Sequence, residues 1–111
     1  MKIKEECGVT ENSLDNAKML IKAFGKPIRI TLTYVDDPWE YLVKAEWTNN
    51  IFTFSGFSWG YYGEGPRGLF EFLQMCGSKT TMSEVAKIAN NVKDYQVFAS
   101  VDWNPKPPKE V

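Results

Sequence analysis

The sequence predicts an α+β domain: a four-stranded, mainly antiparallel sheet in the order α-β-β-β-α-α-β, with the helices packed on one face. Three observations predict it. Residues 28–34, 41–47 and 95–103 alternate apolar and polar positions, the period of a half-buried strand. Residues 14–24, 69–76 and 85–92 instead repeat apolar side chains at helical spacing. The first strands follow one another across short turn signals, and the helices are grouped apart from them, which is the α+β pattern.

Taken in order, residues 2–7 read either as a short strand or as a disordered lead. Ser13 is placed to cap a helix whose apolar face is Leu14, Ala17, Ile21 and Phe24, with Leu20 beside it. Gly25 and Pro27 end that helix. Ile28, Ile30, Leu32 and Tyr34 alternate with Arg29, Thr31 and Thr33, and Asp36-Asp37-Pro38 makes a turn. Tyr41, Val43, Ala45 and Trp47 form the next strand, and Asn49-Asn50 closes a hairpin into Ile51. Residues 51–57 complete an antiparallel meander.

A glycine-rich turn follows, and Pro66 suits the first position of a helix, where its missing N–H costs nothing. Leu69, Phe72, Leu73 and Cys76 are its apolar face, and Gly77 is its stop. After a polar break at 78–81, Thr81 and Glu84 have capping-box spacing ahead of Val85, Ile88, Ala89 and Val92. Tyr95, Val97, Ala99, Val101 and Trp103 form the last strand. The proline-rich, charged residues 104–111 read as an extended tail outside a single domain at 1–103.

Composition narrows the function. A net charge of −1 gives no basic field, so duplex nucleic acid is not an expected partner. No apolar run approaches the length of a membrane span, and residues 1–10 are charged rather than leader-like, so no membrane partner is expected and the cytoplasm is the expected compartment. The chain has no histidine, which removes Ser-His and Cys-His nucleophilic systems and Cys/His zinc sites. Cys7 and Cys76 are too few for a disulfide scaffold, and Cys76 reads as a buried small hydrophobe. Asp36, Asp37 and Glu40 are the densest acidic cluster, but Asp-Asp-Pro between strands is first a turn. No metal or cofactor and no enzymatic activity are expected.

What remains is residues 52–77. Between positions 52 and 62 lie six of the chain's sixteen aromatic residues, and between 56 and 68 five of its eight glycines. The helix start at 65–68 should offer backbone N–H groups and a dipole to an anion. Trp59, Tyr61 and Tyr62 would stack on a flat ligand, while Gly63, Gly65, Arg67 and Gly68 would hold its phosphate or carboxylate. Glu64 or Glu71 neutralising Arg67 is the plainer alternative. GEGPRG at 63–68 matches G-x-G-x-x-G, but a helix rather than a strand with an acidic end is expected next, against a dinucleotide fold. The sequence thus predicts a non-enzymatic binding protein for a small anionic, nucleotide-like ligand. The alternative is a protein-interaction module, such as an inhibitor, immunity protein or adaptor, using the same rings as anchors.

Overall fold

The computed structural model describes residues 1–6, 8–37 and 39–100. Its elements are β1 (Lys2–Lys4), α1 (Thr10–Phe24), β2 (Arg29–Asp36), β3 (Trp39–Glu46), β4 (Ile51–Phe54), α2 (Glu64–Met75), α3 (Met82–Lys87) and β5 (Tyr95–Ala99). The class is α+β, as the patterning predicts. The sheet, however, has five strands and is mixed, in the order β1-β4-β3-β2-β5.

The extra strand is β1, which pairs parallel to β4 through Lys2 opposite Ile51 and Lys4 opposite Thr53. All three of its residues are exposed. A Lys-Ile-Lys edge held mainly by its backbone carries little apolar periodicity, which is why the sequence leaves it undecided. The predicted meander is present: β2 pairs antiparallel with β3, and β3 with β4. β5 closes the other edge, antiparallel to β2 with a register shift at Ile30/Thr31. The predicted strand positions Val101 and Trp103 and the tail at 104–111 lie outside the described residues.

One face of the sheet makes the core. Ile30, Leu32, Val43, Ala45 and Phe54 are fully buried there, against Ala17 of α1, Leu69, Phe72 and Leu73 of α2 and Val85 of α3. Burying each large side chain stabilises by roughly 1.5–3 kcal/mol. The other face is only half-buried at Thr33, Leu42, Lys44 and Glu46. There Arg29 forks onto Glu46 with two bonds of 2.9 Å, and that bonding raises the guanidinium pKa.

Several element boundaries differ from expectation for local reasons. β4 ends at Phe54 rather than at 57, where Ser55 N turns to the Glu5 carboxylate. α1 begins at Thr10, not after Ser13; the Ser13 hydroxyl is buried and bonds Glu5 and the Gly56 N–H instead of capping. α2 begins at Glu64, so Pro66 occupies the third helical position, where an N–H would still lack an intrahelical acceptor. α3 has its capping box at Thr81 and Glu84, but ends at Lys87 because Ile88 is extended. Ile88, Ala89 and Val92 therefore follow the helix rather than line it.

α1 and α2 run side by side in the same direction. Thr10, the first residue of α1, packs on Gly68 of α2, and Lys26, beyond the end of α1, reaches Gly77, beyond the end of α2. β1 leads into α1 and β4 into α2, and the two strands are parallel. Both helices consequently start beyond the carboxyl ends of their strands, at one end of the sheet.

Candidate functional site

At that end lies a cleft of about 460 Å3. Its floor is backbone: Gly8 after β1, and Ser55 and Gly56 after β4. Thr10 and Glu64–Gly65 bring the first turns of α1 and α2 to it, and Trp39, Glu40 and Tyr41 at the start of β3 form the opposite wall. Phe57, Ser58 and Tyr61 complete the lining.

Local chemistry explains each wall. Glu5 sits under the floor: one carboxylate oxygen accepts from Ser13 Oγ at 2.5 Å and Ser55 N at 2.8 Å, and the other from Asn16 Nδ2 at 2.7 Å. Thr10 Oγ1 donates to the Gly56 carbonyl at 2.6 Å, tying the helix start to the floor. Tyr41 stands edge-on to Trp39, with centroids 6.0 Å apart, and to Trp59, at 4.8 Å. Asn90 donates to Tyr41 Oη and to the Trp59 carbonyl, both at 3.1 Å, which fixes the ring wall from behind. Ser58 Oγ and Tyr61 Oη lie 2.9 Å apart in one hydrogen bond. Two hydroxyls that share one bond leave one O–H still able to donate.

The electrostatics are mixed. Two helix starts bring partial positive charge to the cleft. Glu64, in the first turn of α2, and Glu40 bring negative charge, and Glu40 is paired with Lys4 Nζ at 3.3 Å. Among the described residues no three His, Cys, Asp or Glu side chains converge as a metal site would require. No described helix is long and apolar enough to cross a membrane.

The seven residues singled out from the sequence divide. Tyr61 and Gly65 line the cleft together. Tyr62 is 68 % exposed beside Tyr61, and Gly63 is the N-cap of α2. Trp59 is not a surface ring: it is fully buried, and its indole N–H donates to the Ala89 carbonyl at 3.1 Å. A ring so large contributes more inside the core than on a loop, and the glycines around it let the chain dive inward. Gly68 is likewise interior, because a Cβ there would strike the Phe57 ring at 3.0 Å as well as the Thr10 methyl. Gly68 thus serves helix packing.

Arg67 lies on the other side of α2, in a groove of about 740 Å3 with Phe70, Glu71, Gln74, Met75 and Met82. Its backbone N–H bonds the Gly63 carbonyl at 3.0 Å and is not available to a ligand. Among the described residues its guanidinium makes no ion pair, so neither Glu64 nor Glu71 neutralises it by contact. With both positions inside the helix, residue 67 lies about 200° around the axis from Gly65, just over half a turn.

Gly8, Thr10, Trp39, Tyr41 and Ser58 are cleft residues that sequence reasoning passed over. Trp39 gave the one usable signal, an aromatic ring directly after a turn. No protein-family model, no curated protein and no solved structure matches this chain.

Proposed function

We propose that this is a non-enzymatic binding protein whose cleft takes a small, planar ligand carrying an anionic group. One observation carries the reading: two strand–turn–helix units bring two helix starts and a glycine floor to a single cleft walled by Trp39, Tyr41 and Tyr61. Helix starts favour negative charge, aromatic walls favour a flat body, and about 460 Å3 lies within the usual range for small-molecule sites. Crevices beyond the carboxyl ends of parallel strands are favoured ligand sites for the same reason.

Thermal-shift measurements with nucleotides and phosphorylated metabolites test it. A ligand at 100 times its Kd should stabilise by about 2.7 kcal/mol. Trp39→Ala changes an exposed side chain, so the free protein should melt nearly as before while the ligand shift disappears. Arg67→Ala should leave the shift intact. Loss of the shift in Arg67→Ala alone would move the site to the α2–α3 groove, and no shift with any anion would end the reading.

A second reading, a protein-interaction module, is favoured by the exposure of Trp39 at 67 %, Tyr61 at 46 % and Tyr62 at 68 %. Rings of this kind, rimmed by Glu40 and Glu64, are the usual anchors of an interface. A partner that co-purifies with the chain and is lost in Tyr62→Ala, with no anion effect on melting, would select it.

A further inference from the structure

We propose that β1 is a detachable latch: it opens while the rest of the sheet stays folded, and its opening dismantles the floor of the cleft. The inference goes beyond the ligand reading and stands whether or not the cleft takes an anion.

β1 has the features of a weakly held element. It is three residues long, lies at the sheet edge and is exposed throughout. Its neighbour Met1 is 76 % exposed, and Ile3, its one apolar side chain, is 47 % exposed. Little apolar surface therefore opposes its release, and such segments open at a small fraction of the global free energy. Polar contacts rather than apolar packing hold it: Ile51 N to the Met1 carbonyl at 2.8 Å, Glu5 N to the Thr53 carbonyl at 2.9 Å, the Met1 ammonium to the Asn49 carbonyl at 2.8 Å and the Glu5 carboxylate to Ser13, Asn16 and Ser55. Lys4 adds its exposed pair with Glu40, a kind of contact worth little by itself.

The same segment builds the cleft. Glu5 follows β1 directly, and its carboxylate is the acceptor for Ser55 N in the floor. It also holds Ser13 Oγ, which in turn accepts from Gly56 N at 3.0 Å. Lys4 holds Glu40 in the opposite wall. Gly8 packs its α-carbon on the Ser55 carbonyl. Release of β1 withdraws Glu5, leaves Ser55 N and Ser13 without their acceptor, and frees Glu40. Floor and latch then move as one unit, and anything that binds the closed cleft also holds β1 down, by the reciprocity of linked equilibria.

Native-state hydrogen exchange on the intact chain tests this at increasing sub-denaturing urea. The amides of Glu5 and Ile51, and with them Ser55 and Gly56, should exchange as one set, about 100-fold faster than the amides of Leu32 and Val43. Their opening should depend weakly on urea. Lys4→Ala, an exposed change that leaves the core alone, should speed that set by about threefold without touching the core amides. Exchange of Glu5 and Ile51 only through global unfolding would overturn the latch. Early opening of Glu5 and Ile51 with Ser55 and Gly56 still protected to the global limit would overturn its connection to the cleft.

Discussion

The two strand–turn–helix units meeting at the cleft make the same turn by opposite means. In β4–α2 the strand is anchored by bulk: Phe54 is fully buried, with Phe57 and Phe72 packed on it at 5.2 and 4.9 Å. In β1–α1 the strand is exposed, and a single carboxylate, Glu5, binds it to the helix and to the neighbouring turn. A unit fixed by apolar packing can leave the polar groups of its connection, such as the Ser58–Tyr61 pair, facing a cleft. A unit fixed by polar bonds uses those groups internally. On the reading proposed above, recognition falls to the β4–α2 connection and control to β1–α1.

Substitutions test that contrast. The largest effect is expected from Trp59→Ala, which empties the core under the β4–α2 connection and orphans the Ala89 carbonyl; a loss of about 3–5 kcal/mol should appear as a lower urea midpoint. Gly68→Ala acts where the two units touch, pressing a methyl into Phe57 and Thr10, and should cost about 1–3 kcal/mol by the same assay. Were it neutral, the helices would not be held as closely as described. Glu5→Gln keeps the shape but weakens bonds to a charged acceptor, and should cost about 1–2 kcal/mol. A loss there as large as that for Trp59→Ala would erase the distinction between the units.

A pH-dependent effect, absent near neutral pH, is expected at the far end of the helices. Burial pushes the Cys76 thiol up to about 12, with Lys26 pulling the other way. The unfolded chain ionises this thiol near its ordinary value, so above about pH 9 it holds fewer protons than the native state. Stability should fall as pH rises through that range, with a slope approaching about 1.4 kcal/mol per pH unit, and the slope should be shallower in Cys76→Ala. Smallest of all, Tyr62→Ser should leave the melting temperature of the free protein almost unchanged, since the ring is 68 % exposed.

Much of this was legible in the sequence where apolar period decides structure. The meander, the α2 face of Leu69, Phe72 and Leu73, and the Thr81–Glu84 capping box all follow from local pattern. β1 was not legible, because its pairing is backbone to backbone and its side chains carry no signal. The candidate site was legible only in part. Tyr61 and Gly65 were found because rings among glycines are conspicuous. Trp59 has the same neighbours and yet is buried; local composition cannot tell a loop that skirts the surface from one that plunges inward. Arg67 was displaced from the cleft by a two-residue shift in where α2 begins. Trp39 and Gly8 reach the cleft only through strand order, which is a property of the whole sheet.

The contact at Gly68 has a mechanical consequence. With the Thr10 methyl and the Phe57 ring seated against bare backbone, α1 and α2 cannot slide past one another at their starting ends. The cleft therefore resembles a vice with one fixed jaw made of both helices. Any change in the width of the cleft has to come from the floor that β1 holds or from the side that carries Trp39.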